Sequence, residues 1–127
     1  MKKELGLWID HREAIISVFN ADASETKQLE SDMEKHVRLS SGSAGEKDED
    51  IRDHRIANHL KKYYDEVITH IRDADSILIM GPGEAKGELK KQLESEKLGE
   101  RIVAVETTDK LTDRQVAEKV REYFLKH

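Results

Sequence analysis

Apolar residues near the start of the chain fall into two short blocks. Residues 5–10 and 14–19 are separated by the polar residues 11–13, a spacing that predicts a tight antiparallel hairpin. Because both blocks are apolar at consecutive positions, we expect central strands that are covered on each face. A weaker strand zone follows over residues 25–39, with its clearest alternation between Met33 and Leu39. Its half-polar face is typical of an edge strand.

The second half of the chain alternates between helix and strand patterns. Apolar residues at three- and four-residue steps predict an amphipathic helix over residues 51–72. Two buried-strand blocks follow at 76–80 and 101–105, and the helix between them has apolar positions Ala85, Leu89 and Leu93 on one face. Two sequence signals predict the start of a last helix. Thr112 and Gln115 form a capping box, and Leu111 and Val116 occupy the positions of a hydrophobic staple.

The element order is three strands, helix, strand, helix, strand, helix. This order predicts the α/β class, with three layers around a mixed sheet of five strands. At 127 residues the chain has the length of one domain, so residues 1–127 are taken as a single unit. Between the third strand and the first helix, residues 40–50 show no periodicity, and their Ser/Gly half is followed by an acidic half. We expect a mobile surface loop there.

Charge and composition limit the classes of function that we expect for the chain. The chain has 22 Lys plus Arg against 27 Asp plus Glu, which gives a net charge of −5. Broad wrapping of nucleic acid depends on many basic side chains, so DNA binding is not expected, although a local basic patch remains open. There is no Cys, no apolar run near bilayer length and no signal-peptide pattern. We therefore expect a cytoplasmic protein with no membrane partner.

Several of these segments resemble a known family. Residues 5–19, 40–50, 77–89 and 103–111 look like the middle domain of archaeo-eukaryotic class-one peptide release factors and of Pelota, and most of all like its small bacterial single-domain relatives. The most specific part is the apolar strand that leads into Gly81-Pro82-Gly83, with Lys86 three residues later and Glu88-Leu89 after it. The resemblance implies a ribonuclease-H-like topology and a translational role with the ribosome or tRNA as partner.

The loop departs from that family. Release factors carry a Gly-Gly-Gln tripeptide there, whereas residues 40–50 contain no Gln. Residues 46–50 have one positive and four negative side chains, a charge of −3 that ribosomal RNA would repel. The hydrolytic role is therefore not implied. The expected function is a non-catalytic translation-associated binding module that contacts the ribosome, tRNA or a protein partner through the long loop and the edge with the glycine turn.

A candidate ligand site lies at the ends of the predicted parallel strands. Gly81, Gly83 and Lys86 would offer backbone N–H groups, a helix dipole and an ammonium group to an anion. Thr107 follows the next strand, and His11 lies in the hairpin turn at the same edge. The simpler alternative is that Gly81-Pro82-Gly83 is only a tight turn between strand and helix.

A second hypothesis belongs to another class. Asp10 and Glu106 end two strands, so a hydrolase acting on a phosphate or ester around Asp10, Gly81 and Glu106 remains open. Asp10 also precedes a turn, where Asp is favoured for local hydrogen bonding. Metal-dependent nuclease chemistry needs three or four converging acids, and the strand at 76–80 contributes none. No catalytic residue, metal or cofactor is therefore assigned.

Basic residues on the long helix are candidates for RNA contact, namely Arg52, Arg55, Lys61 and Lys62. Such positions are most simply a solvated face. Trp8 and the pair Tyr63-Tyr64 would stack on bases only if they were exposed, and their apolar register indicates core packing instead. A homodimer, including one with a purely structural role, is left open because the predicted sheet has edge strands.

Overall fold

The structure, a computed structural model, describes residues 3–19, 25–30 and 49–126, with the backbone alone at 25 and 49–58. Its strands are β1 (Glu4–Ile9), β2 (Glu13–Phe19), β3 (Glu25–Glu30), β4 (Ser76–Gly81) and β5 (Ile102–Thr107). Its helices are α1 (Glu49–Ile71), α2 (Ala85–Ser95) and α3 (Asp113–Lys126), with a short 3-10 turn at Gly99–Arg101. The part of the predicted loop at 40–48 and the strand pattern at 33–39 lie outside the described residues.

The five strands form one mixed sheet in the order β3-β2-β1-β4-β5. β1 pairs antiparallel with β2, and β2 pairs antiparallel with β3. β1, β4 and β5 run parallel. The predicted α/β class, the mixed five-stranded sheet and the ribonuclease-H-like element order are thereby confirmed, with the two strands of the hairpin inside the sheet and β3 at its edge.

Each face of the sheet carries its own apolar core. Alternate side chains of β1 and β4, including Leu7 and Ile79, face α1 and α2. The others, including Trp8 and Met80, face α3. The consecutive apolar positions of these strands thus have a physical cause, since both of their faces are covered. This is the three-layer arrangement that the element order predicts.

The start of α3 confirms the predicted capping box. The Gln115 backbone N–H donates to Thr112 Oγ1 at 3.2 Å, and the Thr112 N–H donates to Gln115 Oε1 at 2.9 Å.

The longest helix, α1, has 23 residues but a charged composition. Within the part of the chain that the structure describes, no helix is both long and apolar enough to cross a membrane.

Gly6 lets α3 lie close to β1. A Cβ atom built on Gly6 would lie 2.5 Å from Val120 Cγ2 and 3.3 Å from Leu78 Cβ. Val120 is buried and branched at Cβ, so it has few ways to move aside. The absence of a side chain at position 6 therefore sets the distance between α3 and the sheet.

We expect Gly6→Ala to lower the free energy of unfolding by about 1–3 kcal/mol, because the added methyl group overpacks the contact with Val120. The matched control is Gly87→Ala in α2, where an added Cβ meets nothing within 4 Å. There the change should stabilise the protein by about 0.5–1 kcal/mol, because alanine is the better helix former. Urea unfolding of the two variants measures both effects, and equal shifts would contradict this account of Gly6.

Candidate functional site

The carboxyl ends of β1, β4 and β5 meet at one edge of the sheet, which we call the carboxyl edge. It comprises residues 10–11, 81–84 and 107–109. Gly81 is paired with Thr107 in the β4–β5 register, and the Thr108 N–H donates to the Gly81 carbonyl at 3.0 Å. The structure thus brings Gly81, Thr107 and His11 to the same edge, as the parallel pairing predicts.

Gly81 is required by close backbone packing. A Cβ at this position would lie 2.2 Å from the Ile9 carbonyl oxygen, so any side chain would push β4 away from the end of β1. Gly83 differs, because a Cβ there would meet nothing within 4 Å. The chain then continues through the exposed residues Gly83 and Glu84 into α2. Tight packing therefore explains the glycine at position 81, whereas no steric contact requires the glycine at position 83.

The first turn of α2 begins without a side-chain cap. Glu84 is the N-cap residue, and its side chain makes no capping hydrogen bond. The N–H groups of this turn, together with the helix dipole, favour negative charge. The Lys86 ammonium group donates a hydrogen bond back to the Gly83 carbonyl, which holds it over the glycine turn. Anion contact by Gly81, Gly83 and Lys86 stays a prediction.

Glu88 joins three elements beside the carboxyl edge. Its Oε1 atom accepts a hydrogen bond from the Tyr64 hydroxyl at 2.6 Å and lies 3.0 Å from His11 Nε2. Tyr64 belongs to α1, Glu88 to α2 and His11 to the turn after β1. The His11 and Glu88 side chains are 38% and 41% exposed, so the pair is accessible from solvent. Sequence reasoning missed Glu88 and Tyr64 as site residues, although Glu88 borders the apolar stripe of its helix.

The two adjacent tyrosines are buried donors. The Tyr63 hydroxyl donates to the Asp10 carbonyl at 3.1 Å. Burial raises the pKa of Tyr63 far above its usual range, with the Asp10 charge adding to the effect. Burial and the hydrogen bond to Glu88 do the same to the pKa of Tyr64. Both phenols therefore keep their protons and hold α1 against the carboxyl edge.

Asp10 and Glu106 do not combine into one site. Asp10 Oδ1 accepts hydrogen bonds from the N–H groups of Arg12 and Glu13, each at 2.8 Å. Its carboxylate therefore closes the hairpin turn, which is the local role that its position suggests. Glu106 borders a groove of about 230 Å³ on the α3 face of the sheet, together with Leu78 and Met80. Among the described residues, no three His, Asp or Glu side chains lie close enough together to hold a metal ion.

The segment after β5 is fastened to β1. The Trp8 indole N–H donates to the Asp109 carbonyl at 3.0 Å. Lys110 Nζ lies 4.4 Å from the centre of the Trp8 ring and also pairs with Glu13.

Trp8 is fully buried, and Tyr63 and Tyr64 are nearly so, which confirms that these rings pack in the core.

Of the RNA-contact candidates, Lys61 and Lys62 are exposed on α1. Arg52 and Arg55 fall in the first half of α1, where the structure describes the backbone alone. The basic face therefore stays a prediction.

The comparisons with known proteins concern the fold. No family model and no curated protein sequence matches the chain. Among solved structures, Pelota from Archaeoglobus fulgidus matches with a TM-score of 0.59 and 14% identity, over 94% of this chain and 31% of that chain. Pelota from Thermoplasma acidophilum matches with a TM-score of 0.61 and 15% identity, over 94% and 32%. The archaeal translation termination factor aRF1 matches with a TM-score of 0.54 and 15% identity, over 98% and 39%.

The chain therefore spans about a third of the length of these proteins. At identities this low the likeness is one of fold, and it supports the predicted resemblance to a domain of Pelota and aRF1.

Alkaline titration tests the buried tyrosines. A folded-state pKa above the usual value means that stability is complete below about pH 10 and is lost as pH rises beyond it. For each tyrosine, the free energy of unfolding should fall by about 1.4 kcal/mol per pH unit in that range. Tyr63→Phe and Tyr64→Phe should each remove that contribution relative to the parent protein. The contrary result is a free energy of unfolding that falls with pH at the same rate, above about pH 10, in the parent and in a variant that carries both changes. That result would show that the phenols ionise freely in the folded state.

Proposed function

We propose that the chain is a non-catalytic, translation-associated binding module that contacts the ribosome or tRNA through the carboxyl edge. The likeness of its fold to aRF1, described as an archaeal translation termination factor, is the observation that supports this role. The carboxyl edge is the part of the described structure with the chemistry for such a contact.

Phosphate is the ligand chemistry that this edge favours. The uncapped start of α2 offers N–H groups and a positive dipole, and the Lys86 ammonium lies over the same turn. An ammonium group has three N–H donors, so the hydrogen bond to Gly83 leaves two for a ligand. His11 adds positive charge when it is protonated, although the Glu88 carboxylate beside it offsets part of that charge. RNA backbone presents phosphates in the repeated form that such a surface binds.

The geometry favours binding over hydrolysis at this edge. A hydrolase would need a free carboxylate or base aligned on the reacting group. The Asp10 carboxylate is occupied by two backbone N–H groups of its own turn, and Glu106 belongs to the groove on the α3 face. The segment 40–50 also lacks the Gln on which the release-factor reaction depends. A role in peptidyl-tRNA hydrolysis is therefore not proposed.

We expect the protein to co-sediment with ribosomes in a salt-dependent manner. Lys86→Gln should weaken binding and lower the slope of log affinity against log salt by about one, the loss of one phosphate contact. Lys119→Gln, which removes the same charge from α3, is the matched control and should leave the slope unchanged. A lack of co-sedimentation at low salt, or equal effects of the two variants, would contradict the proposal.

The anion site itself can be tested with inorganic phosphate. In an NMR titration at constant pH the amide signals of Gly81 and of residues 83–86 should move as phosphate is added, because the N–H groups and the dipole at the start of α2 favour an anion. Lys86→Glu should abolish the shifts. If these amides stay unmoved when phosphate is added, the glycine segment is only a turn and carries no anion site.

A further inference from the structure

A cavity of about 620 Å³ lies between the last turn of α1 and the strands β2 and β3. Its lining residues are Lys3, Ile16, Val18, Thr26, Lys27 and His70. Lys3 precedes β1, whereas the carboxyl edge follows the end of that strand, so the cavity and the carboxyl edge are separate surfaces. Cavities that bind small molecules usually have volumes of about 300–1,000 Å³, and this one falls within that range.

The apolar part of the lining comes from β2. Ile16 and Val18 are two positions apart on this strand, so their side chains lie on the same face, about 7 Å from each other. Ile16 belongs to the core between the sheet and α1, and Val18 packs against that core as a partly buried residue. The two side chains thus form a short, straight apolar strip. Such a strip suits an extended aliphatic chain, which lies along it and leaves water.

The charged part of the lining is basic. Among the described residues that line the cavity, Lys3, Lys27 and His70 are basic and none is acidic. The whole chain has a net charge of −5, so this local excess of basic groups runs against the overall balance. A cavity lined by one sign of charge attracts ligands of the opposite sign. The lining therefore favours a ligand that is both apolar and anionic.

Lys27 has a basic side chain as its hydrogen-bond partner. Its Nζ atom donates to His70 Nδ1 at 3.3 Å, because an ammonium group has donors only. Two N–H donors of Lys27 remain for a ligand. Lys3 differs, since its ammonium group pairs at 2.8 Å with Asp73, which is not a lining residue. The Lys27 ammonium is therefore the charge in this lining that an anionic ligand would compensate.

We propose that this cavity binds a free, unbranched aliphatic carboxylate. The carboxylate lies at Lys27, and the aliphatic chain lies along Ile16 and Val18. A single negative charge matches the single ammonium group of the lining that is not paired with an acid. Each methylene group that leaves water strengthens binding by about fourfold, so the apolar strip contributes affinity as well as shape. This inference is independent of the proposed contact with the ribosome, because it uses a different surface.

An NMR titration at constant pH with octanoate tests the site. The amide signals of residues 16–18, 26–27 and 70 should move as octanoate is added. Acetate carries the carboxylate without the aliphatic chain, and octanol carries the chain without the charge. Each should bind at least about tenfold more weakly than octanoate, because each lacks one of the two contacts.

Three results of this titration would overturn the proposal. The first is that octanoate leaves these amide signals unmoved. The second is that acetate or octanol binds as tightly as octanoate, which would mean that one of the two contacts contributes nothing. The third is that acetyl-leucine binds more tightly than octanoate, which would indicate a site for the end of a peptide chain.

A charge variant tests the contact with the carboxylate. Lys27 is exposed on the edge strand β3, so Lys27→Gln removes its charge without disturbing the core. Octanoate should then bind about threefold to tenfold more weakly, whereas the affinity for octanol should not change. Lys91→Gln, which removes the same charge from an exposed position on α2, is the matched control and should leave both affinities unchanged. Equal affinities of the two variants for octanoate would contradict the proposed position of the carboxylate.

Discussion

The parallel pairing of β1 with β4 is the contact on which the rest of the structure depends. Leu7 lies beside Ile79 and Trp8 beside Met80, and all four side chains are buried between helical layers. Two glycines make the approach of neighbouring groups possible. Because Gly6 has no side chain, α3 can pack closely on one face of β1. Because Gly81 has none, the Ile9 carbonyl can lie against the end of β4. Because both strands end at the same level, the turns that follow them form one edge.

Glu88 links this packing to the carboxyl edge. Its single Oε1 atom contacts a buried phenol from α1 and the imidazole of the turn after β1. The buried Tyr64 hydroxyl holds the half-exposed Glu88 carboxylate in place, and that carboxylate in turn contacts His11. Because Tyr64 belongs to α1, the orientation of His11 follows from the position of α1. The same edge carries the glycine turn and the start of α2. The carboxyl edge thus places the glycine turn, the start of α2 and the solvent-accessible His11–Glu88 pair close together.

Sequence patterns predicted the fold more fully than the site. The consecutive apolar positions of β1 and β4 identify strands that are covered on both faces, and Thr112 with Gln115 identifies the start of α3, because these signals depend on neighbouring residues. β3 was harder to locate. Its observed part has one buried residue, Leu29, and is held by pairing with β2 instead of by its own pattern. The parallel order of strands was enough to bring His11, Gly81 and Thr107 to one edge.

The contacts within the site could not be predicted in the same way. Tyr64 and Glu88 are separated by 24 residues, and Trp8 and Asp109 by 101. Such hydrogen bonds depend on how helices pack over the sheet, for which a single sequence carries no local signal. The apolar register of Tyr64 correctly indicated burial, but it gave no information about the hydroxyl group at the end of the ring.

The central claim is that this domain meets its translational partner through the carboxyl edge. Amide hydrogen exchange of the chain, free and bound to ribosomes, tests it most directly. The account predicts slower exchange on binding at residues 81–88 and 107–109, with no change along β3. Slower exchange at β3 with none at the carboxyl edge, in a chain that binds ribosomes, would contradict it.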